Sequence, residues 1–332
     1  MATVPALIDR HGRTISYLRV SVTDRCDLRC RYCMAEDMRF LPRDALLDLD
    51  EIAVIAERFI ARGVTKVRLT GGEPLVRGGV IDLARRLGRQ IGQGLDELTL
   101  TTNGMRLADC AHDLRDAGIR RINVSLDSLD PDRFRYITRQ GDLSRVMAGV
   151  AAAQAAGIAV KINMVALKDL NQDEIPAMLA WCVDQGHDLS LIETMPLGSI
   201  DEDRADRFVS VSAVFDDLSR HFDLTRDPRT TGGPARYWRV GASPTRLGLI
   251  SPLTANFCDG CNRVRLTTEG RLYACLGHDD QVDLKAALRT GGMAGLDRAI
   301  DEALTIKPLR HDFRIATGAP PAVGRHMSVT GG

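Results

Sequence analysis

The 332-residue sequence has few aromatic residues and no excess charge of either sign. Phe, Trp and Tyr make up 5% of the chain, too few for a surface that stacks successive bases of a single strand. Lys and Arg together number 44, as do Asp and Glu, so the net charge is zero and a broadly basic surface is not expected. These values are typical of a globular protein without a nucleic-acid partner, in which any anion site is a local pocket.

A long hydrophobic run is also missing. The nearest candidate, residues 146–160, is rich in alanine, is interrupted by Gly149, Gln154 and Gly157, and falls short of the roughly 18 apolar residues of a membrane span. Charges appear at Asp9 and Arg10, before an apolar signal segment could form. The sequence therefore predicts a cytoplasmic protein with no membrane contact, whose eight cysteines do not form disulfides.

Between Ile15 and Met195 the sequence alternates β-rich and helical segments, which is typical of βα units around a parallel sheet. The predicted strands are residues 15–22, 66–70, 97–102, 121–126, 159–165 and 189–194. The predicted helices are residues 50–62, 79–91, 107–117, 143–156 and 173–185. Six parallel strands indicate either a doubly wound sheet or an incomplete version of the eight-stranded barrel.

The side chains of these strands favour the incomplete barrel. Apolar residues occupy one parity of each strand and should face the helices, whereas the other parity carries Arg19, Arg68 and Lys161 together with hydroxyls and amides. Internal ion pairing, such as Arg68 with Asp127, is an alternative for single residues. A whole row of buried charge is too costly to be dry packing, so it predicts an α/β, (β/α)6 TIM-like barrel around a substrate cavity.

The alternation of strands and helices changes after Met195. Strands predicted at residues 237–240, 246–251, 263–268 and 271–275 follow one another as hairpins, with a tight turn at residues 268–270. The sequence therefore predicts a barrel domain over residues 1–198 and a smaller α+β region over residues 199–332.

Six cysteines form two groups of three. Cys26, Cys30 and Cys33 directly follow the first strand, and the other group is Cys258, Cys261 and Cys275. Three thiolates can hold three irons of a cubane cluster and leave the fourth iron open, whereas structural zinc normally takes four ligands. The two isolated cysteines, Cys110 and Cys182, are interpreted as small buried hydrophobes on helices.

The segment 26–33 resembles the Cys-x3-Cys-x2-Cys motif of the radical S-adenosylmethionine (SAM) enzymes, with Tyr32 before the last cysteine. The Gly-Gly-Glu-Pro turn at residues 71–74 resembles that superfamily's contact with the methionine end of SAM. The second cysteine group and the terminal Gly331-Gly332 narrow the match to the GTP 3′,8-cyclase family of molybdenum cofactor biosynthesis. Ala35 and Val329-Thr330 depart from the residues common in that family.

The resemblance implies two [4Fe–4S] clusters, each with an open iron, held by the two cysteine groups. It assigns SAM binding to Tyr32, Gly72, Ser125 and Met195, and a catalytic role to the Gly331-Gly332 tail. Arg263 and Arg265 lie two apart on a predicted strand and so point to one face, where each guanidinium can fork phosphate oxygens. The set that the resemblance implies for GTP is Arg19, Arg68, Thr101, Lys161, Arg263 and Arg265.

The implied reaction converts GTP to (8S)-3′,8-cyclo-7,8-dihydroguanosine 5′-triphosphate, through a 5′-deoxyadenosyl radical that takes hydrogen from C3′. The implied partners are GTP, an electron donor such as flavodoxin or ferredoxin, a second copy of the chain in a homodimer, and cyclic pyranopterin monophosphate synthase downstream. One alternative is a radical SAM enzyme that modifies peptides or proteins, against which the Arg-x-Arg after Cys261 argues. Another is a non-catalytic iron–sulfur electron carrier or a zinc scaffold.

Overall fold

The computed structural model describes residues 6–331 and contains one twelve-stranded sheet. The first six strands are β1 (Tyr17–Ser21), β2 (Lys66–Thr70), β3 (Glu97–Thr102), β4 (Arg121–Ser125), β5 (Ala159–Val165) and β6 (Asp188–Ile192). The later strands are β7 (Leu224–Asp227), β8 (Arg236–Val240), β9 (Arg246–Ile250), β10 (Arg263–Leu266), β11 (Arg271–Tyr273) and β12 (Gln281–Asp283). Their order across the sheet is β12-β11-β10-β1-β2-β3-β4-β5-β6-β9-β8-β7, so the sheet does not close into a barrel.

Helices follow the central strands in turn. They are α1 (Leu49–Ala61), α2 (Val80–Gly88), α3 (Ala111–Asp116), α4 (Pro131–Thr138), α5 (Leu143–Ala155), α6 (Ile175–Gln185), α7 (Arg204–Arg207), α8 (Val211–Leu218), α9 (Leu284–Thr305) and α10 (Met327–Thr330). Short 3-10 turns lie at Arg43–Ala45, Pro74–Val76 and Gln172–Glu174. No helix in residues 6–331 is long and apolar enough to cross a membrane.

Local sequence explains where several helices begin and end. Asp48 caps α1 in a reciprocal capping box with Glu51, which satisfies two backbone donors at once. Asp130 accepts from the Arg133 N–H ahead of α4, with Pro131 in the first helical position. Gly186 ends α6 with a φ of 71°, a left-handed conformation in which glycine carries no Cβ penalty.

The predicted βα succession is confirmed, and β2, β3 and β5 have the predicted bounds. The predicted helix at residues 107–117 is wrong over its first four residues, because turns closed by Gly104 and Leu107 carbonyls occupy that segment. Helix α9 was not among the predicted helices. Gly292 interrupts it, with a φ of 56°, but the helix resumes.

The predicted hairpins are present, since β8 pairs antiparallel with β9, and β10 with β11. Strands β7 and β12, which were not predicted, pair antiparallel with β8 and β11. The structure adds that two of these strands extend the parallel sheet at its two ends. Strand β10 runs parallel to β1, and β9 runs parallel to β6. Residues far apart in sequence therefore contribute to one continuous sheet, and the polar side chains of β10 join those of β1 and β2.

Candidate active site

Two adjoining cavities lie on the polar face of the sheet. Cys26, Cys30 and Cys33 line the first cavity, and Cys258, Cys261 and Cys275 line the second. The two cavities have four wall residues in common, which are Asn163, Ile192, Met195 and Met327. The two cysteine trios therefore face neighbouring parts of one chamber and not opposite sides of the molecule.

The first cavity brings the cysteine loop against the Gly-Gly-Glu-Pro turn. The Gly72 N–H donates to the Thr23 carbonyl at 2.8 Å, and the Glu73 N–H donates to the Arg25 carbonyl at 2.8 Å, just before Cys26. A Cβ on either glycine would overlap backbone of residues 23–25, so only glycine allows this approach. Two motifs separated by about forty residues in sequence thus form one wall.

Glu73 fixes that turn from within the core. Its buried carboxylate accepts from the Leu75 N–H, the Thr102 hydroxyl and the Asn103 N–H, at 2.9, 2.9 and 2.6 Å. Burial raises the pKa of Glu73 to about 7 despite these hydrogen bonds. The carboxylate joins the turn to the end of β3, where Asn103 in turn donates to Asp27 in the cysteine loop at 2.6 Å.

All four residues predicted for SAM line the first cavity: Tyr32, Gly72, Ser125 and Met195. The Tyr32 hydroxyl donates to Asp127 at 2.7 Å, and the other carboxylate oxygen of Asp127 accepts from the Val165 N–H at 2.9 Å. Asp127 is therefore occupied by these two donors, and the alternative pairing of Arg68 with Asp127 is not formed. Arg68 instead donates to the Thr101 hydroxyl at 3.2 Å.

The donor chemistry of the first trio fits an iron–sulfur cluster. Burial raises the pKa of Cys26 to about 12, and burial together with the neighbouring Arg204 and Asp127 leaves the pKa of Cys33 at about 11. Burial and then the adjacent Cys33 raise the pKa of Cys30 well above its ordinary value. Three neighbouring thiolates need positive charge beside them to be stable. The irons of a cluster supply this charge, and each iron binds one thiolate. Within residues 6–331 no three His, Cys, Asp or Glu side chains converge on a single metal-ion position.

The second cavity is lined by cations. Its wall holds Arg19, Lys66, Arg68, Arg121, Lys161, Arg263 and Arg265, and no carboxylate from the described residues. Glu97 pairs with Lys66 at 2.7 Å and with Arg121 at 2.5 Å. The five remaining cations are those predicted from the sequence, and within the described chain none of them has a carboxylate within salt-bridge distance.

Such a concentration of unpaired charge is costly without a bound anion. Arg19 is 8% exposed, and its Nε and Nη2 have no hydrogen-bond partner among the described residues. Burial opposes ionisation of Tyr17, yet the cations Arg68, Arg19 and Lys66 lower the pKa of this phenol to about 8. The second cavity is therefore built to receive a ligand with several negative charges.

Sequence analysis missed part of this wall. Lys66 and Arg121 lie at the first positions of β2 and β4, on the same parity as Arg68 and Asn123, so strand parity could have identified them. Tyr237 was also missed; its hydroxyl accepts from Lys161 Nζ at 2.6 Å. It lies on β8, whose position beside the cavity depends on the unpredicted pairing of β9 with β6.

The second trio differs from the first in its surroundings. Burial raises the pKa values of Cys258 and Cys275. Burial also acts on Cys261, but Lys307 and then Arg263 outweigh it and lower the pKa of this thiol to about 7. The second trio therefore includes a thiol poised to ionise near neutral pH, beside Lys307 and Arg263.

The C-terminal tail lies at the junction of the two cavities. The Gly331 carbonyl accepts from Arg265 Nη1 at 2.7 Å, and a Cβ on Gly331 would overlap the Thr70 hydroxyl. Thr70 lines the first cavity and Arg265 lines the second. Gly332, predicted to act with Gly331, lies outside the described residues. Thr101, predicted with the GTP set, lines the first cavity and meets the second through Arg68.

Comparison with known proteins first identifies the class of protein. Residues 20–182 match the family model for the Radical SAM superfamily, and residues 187–313 match the model named Molybdenum Cofactor Synthesis C. The crystal structure of Streptococcus suis SuiB bound to S-adenosylmethionine is similar with a TM-score of 0.61 at 14% identity, over 82% of this chain and 64% of SuiB. The SuiB complex with the precursor peptide SuiA gives 0.60 at 15% identity, over 90% of this chain and 67% of SuiB. The chain has the radical SAM fold.

Curated relatives then identify the family. The protein named GTP 3′,8-cyclase from Erythrobacter litoralis is 57% identical over 327 residues, which cover 98% of each chain. The proteins of that name from Rhizobium etli and Caulobacter vibrioides are 59% and 58% identical, over 98% and 99% of this chain and 94% and 95% of theirs. The chain belongs to the GTP 3′,8-cyclase family.

Proposed function

We propose that this protein is a GTP 3′,8-cyclase, a lyase that converts GTP to (8S)-3′,8-cyclo-7,8-dihydroguanosine 5′-triphosphate in the first step of molybdenum cofactor biosynthesis. The observation that carries the proposal is the second cavity, where five cations without carboxylate partners adjoin the cavity of the first cysteine trio. A nucleoside triphosphate supplies the missing negative charge. The full-length relationship to the GTP 3′,8-cyclases supports the same substrate.

The first trio would hold a [4Fe–4S] cluster and the second trio another. When bound, the first cluster and SAM supply a radical that abstracts hydrogen, and the second cluster supplies an open iron for the guanine. Around the first site, Gly72 presents backbone to the methionine end of SAM, and Ser125 and Met195 line the space left for the nucleoside. Tyr32 is held toward this space by its hydrogen bond to Asp127.

The protein's own contribution is orientation. Arg19, Arg68, Lys161, Arg263 and Arg265 would bind the triphosphate together, although they arise from four different strands, β1, β2, β5 and β10. Thr101 lies where the nucleoside would pass toward the first cavity. The Gly331-Gly332 tail would approach both ligands and complete the enclosure, which excludes water and fixes the distance between reacting atoms.

Further parts of the proposal concern organisation and partners. The parallel part of the sheet would form an incomplete (β/α)6 barrel in residues 1–198, with residues 199–332 as the region that holds the second cluster. A flavodoxin or ferredoxin would supply electrons, and cyclic pyranopterin monophosphate synthase would take the product. A cytoplasmic location and a homodimer complete the proposal.

A substrate screen tests the function directly. Anaerobically purified protein with a strong reductant and SAM should form 5′-deoxyadenosine faster when GTP is added, together with one equivalent of the cyclised nucleotide. ATP is the matched control, because it offers the same triphosphate with a different base. The cyclase proposal fails if GTP has no effect while peptides stimulate the cleavage of SAM.

Arg19→Met should weaken GTP binding and leave the folded chain no less stable. The substitution removes a charge-assisted contact to phosphate, expected to be about 1.5–3 kcal/mol, or roughly tenfold to a hundredfold in Kd. It also removes a buried cation that is repelled by Arg265, so the free energy of unfolding without GTP should not fall. Calorimetric GTP titration and urea denaturation measure the two quantities.

The control for Arg19 is Arg239→Met, which removes an exposed arginine from β8. It should change neither GTP affinity nor stability by more than a few tenths of a kcal/mol. A stability loss for Arg19→Met with unchanged GTP affinity would mean that Arg19 has a structural partner and no phosphate to bind.

GTP affinity should also fall as the pH rises above 7.5. Burial, and then repulsion from Arg121, lower the pKa of Lys161 to about 7 in the free protein. A bound triphosphate favours the ammonium form, so binding takes up a proton, and affinity declines by up to about tenfold per pH unit above this pKa. Calorimetry at pH 8 in two buffers of different ionisation enthalpy should report uptake of about one proton. Lys161→Met should lower that uptake to the part contributed by Tyr17, whose phenol has a pKa of about 8 in the same cavity; an unchanged uptake in this variant would assign the proton to another group.

A further inference from the structure

Lys307 is a buried cation next to the second cysteine trio. It follows α9 by two residues, is 1% exposed, and has no role in the proposed binding of GTP or SAM. Its Nζ donates to the Arg263 carbonyl at 2.8 Å, to the Ala274 carbonyl at 2.5 Å and to Cys261 Sγ at 3.5 Å. One ammonium therefore joins the start of β10 to the residue before Cys275 and contacts a thiol of the trio.

The charge of Lys307 has no carboxylate partner among the described residues. Its ionisable neighbours are Cys261, Cys275 and Arg13, and Arg13 is already paired with Asp9 at 2.6 Å. The Arg263 and Ala274 carbonyl oxygens accept hydrogen bonds from the ammonium, but they carry no net charge to balance it. A buried ammonium is stable only beside negative charge, and the thiols of the trio are the groups here that can supply it.

Two more cations donate hydrogen bonds to the backbone around the trio. Arg13 Nη1 donates to the Cys258 carbonyl at 2.8 Å, and Arg325 Nη2 donates to the Cys275 carbonyl at 3.3 Å and the Leu276 carbonyl at 2.5 Å. Lys307 differs from both arginines, because its hydrogen bonds include a thiol sulfur. It is therefore the candidate for an effect on the bound group as well as on the loops.

We propose that Lys307 is a positioning residue for the second cysteine trio, which holds Cys261 and Cys275 in place for an anionic iron–sulfur cluster and donates a hydrogen bond to the Cys261 sulfur. This inference rests on the proposed second cluster. Mutation of a residue that orients a metal ligand typically lowers metal affinity tenfold to a hundredfold. A donor to a ligating sulfur also draws electron density from the cluster and favours its reduced form.

The test isolates the second cluster in the full-length chain. Cys26, Cys30 and Cys33 are replaced by alanine, and Lys307→Met and Lys307→Gln are made in that background. Lys307→Met removes the charge and every donor at similar length, whereas Lys307→Gln keeps donors without charge. Lys285→Met is the matched control, because Lys285 is a partly buried lysine of α9 that donates to the Ala45 carbonyl at 2.6 Å, away from both trios.

Three quantities are measured: iron and sulfide per chain, the rate of iron loss to a chelator, and the midpoint potential followed by electron paramagnetic resonance. Lys307→Met should lose iron about tenfold to a hundredfold faster than the Lys285→Met control and should titrate at a lower potential. Lys307→Gln should retain iron better than Lys307→Met and titrate at a potential between those of Lys307→Met and the control, because it keeps donors and loses the charge. Thermal unfolding of the metal-free chains should be similar in all three.

Two results overturn the proposal in distinguishable ways. If the background chain with Lys307 intact takes up iron, but Lys307→Met matches the control in iron loss and potential, the second cluster stands and the role of Lys307 is rejected. If the background chain takes up no iron, the second cluster is removed from the proposed function and the role of Lys307 is rejected with it. A metal-free Lys307→Met chain that unfolds at a much lower temperature than the control, with unchanged potential, would make Lys307 a structural residue only.

Discussion

Cys30→Ala should abolish the cleavage of SAM while the second cluster stays in place. Iron should fall from about eight to about four per chain, because two remaining thiolates cannot hold a cubane cluster with one open corner. Production of 5′-deoxyadenosine should fall below detection with or without GTP. Cys30 lines the first cavity, and as a thiolate it would repel an ionised Cys33 unless irons are bound, so the loss of one thiol removes the site and not only a contact.

The matched control for this prediction is Cys110→Ala. Cys110 is a partly buried thiol at the start of α3, and it lines neither cavity. This variant should keep about eight irons and normal cleavage of SAM. If Cys30→Ala still cleaved SAM at a rate within tenfold of the control, the first trio would not be the site of the radical chemistry.

The sequence predicted the first cavity well because its parts lie close to their strands. The three cysteines follow β1 within a few residues, and residues 71–74 follow β2 directly, so parallel strand order alone brings them to one edge of the sheet. Strand parity similarly placed Arg19, Arg68 and Lys161 on one face. In both cases the alternation of side chains along a strand and the order of the parallel strands are enough to predict which residues meet.

The second cavity was only partly predictable because it depends on pairing between distant residues. Arg263 and Arg265 were expected to point to one face, but nothing local indicates that β10 would lie beside β1, about 240 residues earlier, with Arg19 opposite Arg265. The same holds for β9 beside β6, which brings Tyr237 to Lys161. Such contacts are decided by which edges of a finished sheet remain open, a property of the whole fold.

Lys307 shows a further limit of sequence reasoning. No role for Lys307 was predicted from the sequence, and a lysine just after a helix normally faces water and interacts with the helix dipole. Only the structure shows that this residue turns inward and contacts Cys261, which is 46 positions earlier. No periodicity or spacing in the intervening residues indicates that contact.

Gly331→Ala should lower the rate of GTP conversion by about a hundredfold while both clusters and the binding of SAM persist. Gly331 has a φ of 77°, and a Cβ at this position would overlap the Thr70 hydroxyl, so an alanine must displace the tail from the junction of the cavities. That movement breaks the hydrogen bond from Arg265 to the Gly331 carbonyl. A displacement of about 1 Å near reacting groups costs on the order of a hundredfold in rate.

Gly318→Ala separates the effect of the backbone conformation from the effect of the contact. Gly318 has a φ of 69°, but a Cβ there meets no atom within 4 Å, so this variant carries the same local strain without moving the tail. Its rate of GTP conversion should stay within a few-fold of the unsubstituted protein, whereas deletion of residues 331–332 should match Gly331→Ala. If Gly331→Ala and Gly318→Ala were equally active, the tail would be a passive cover. If only the Gly331 variants lost cyclisation while SAM was still cleaved, the tail would be required for steps after radical formation. The Arg265–Gly331 contact would then be the part of the protein that couples the two cavities.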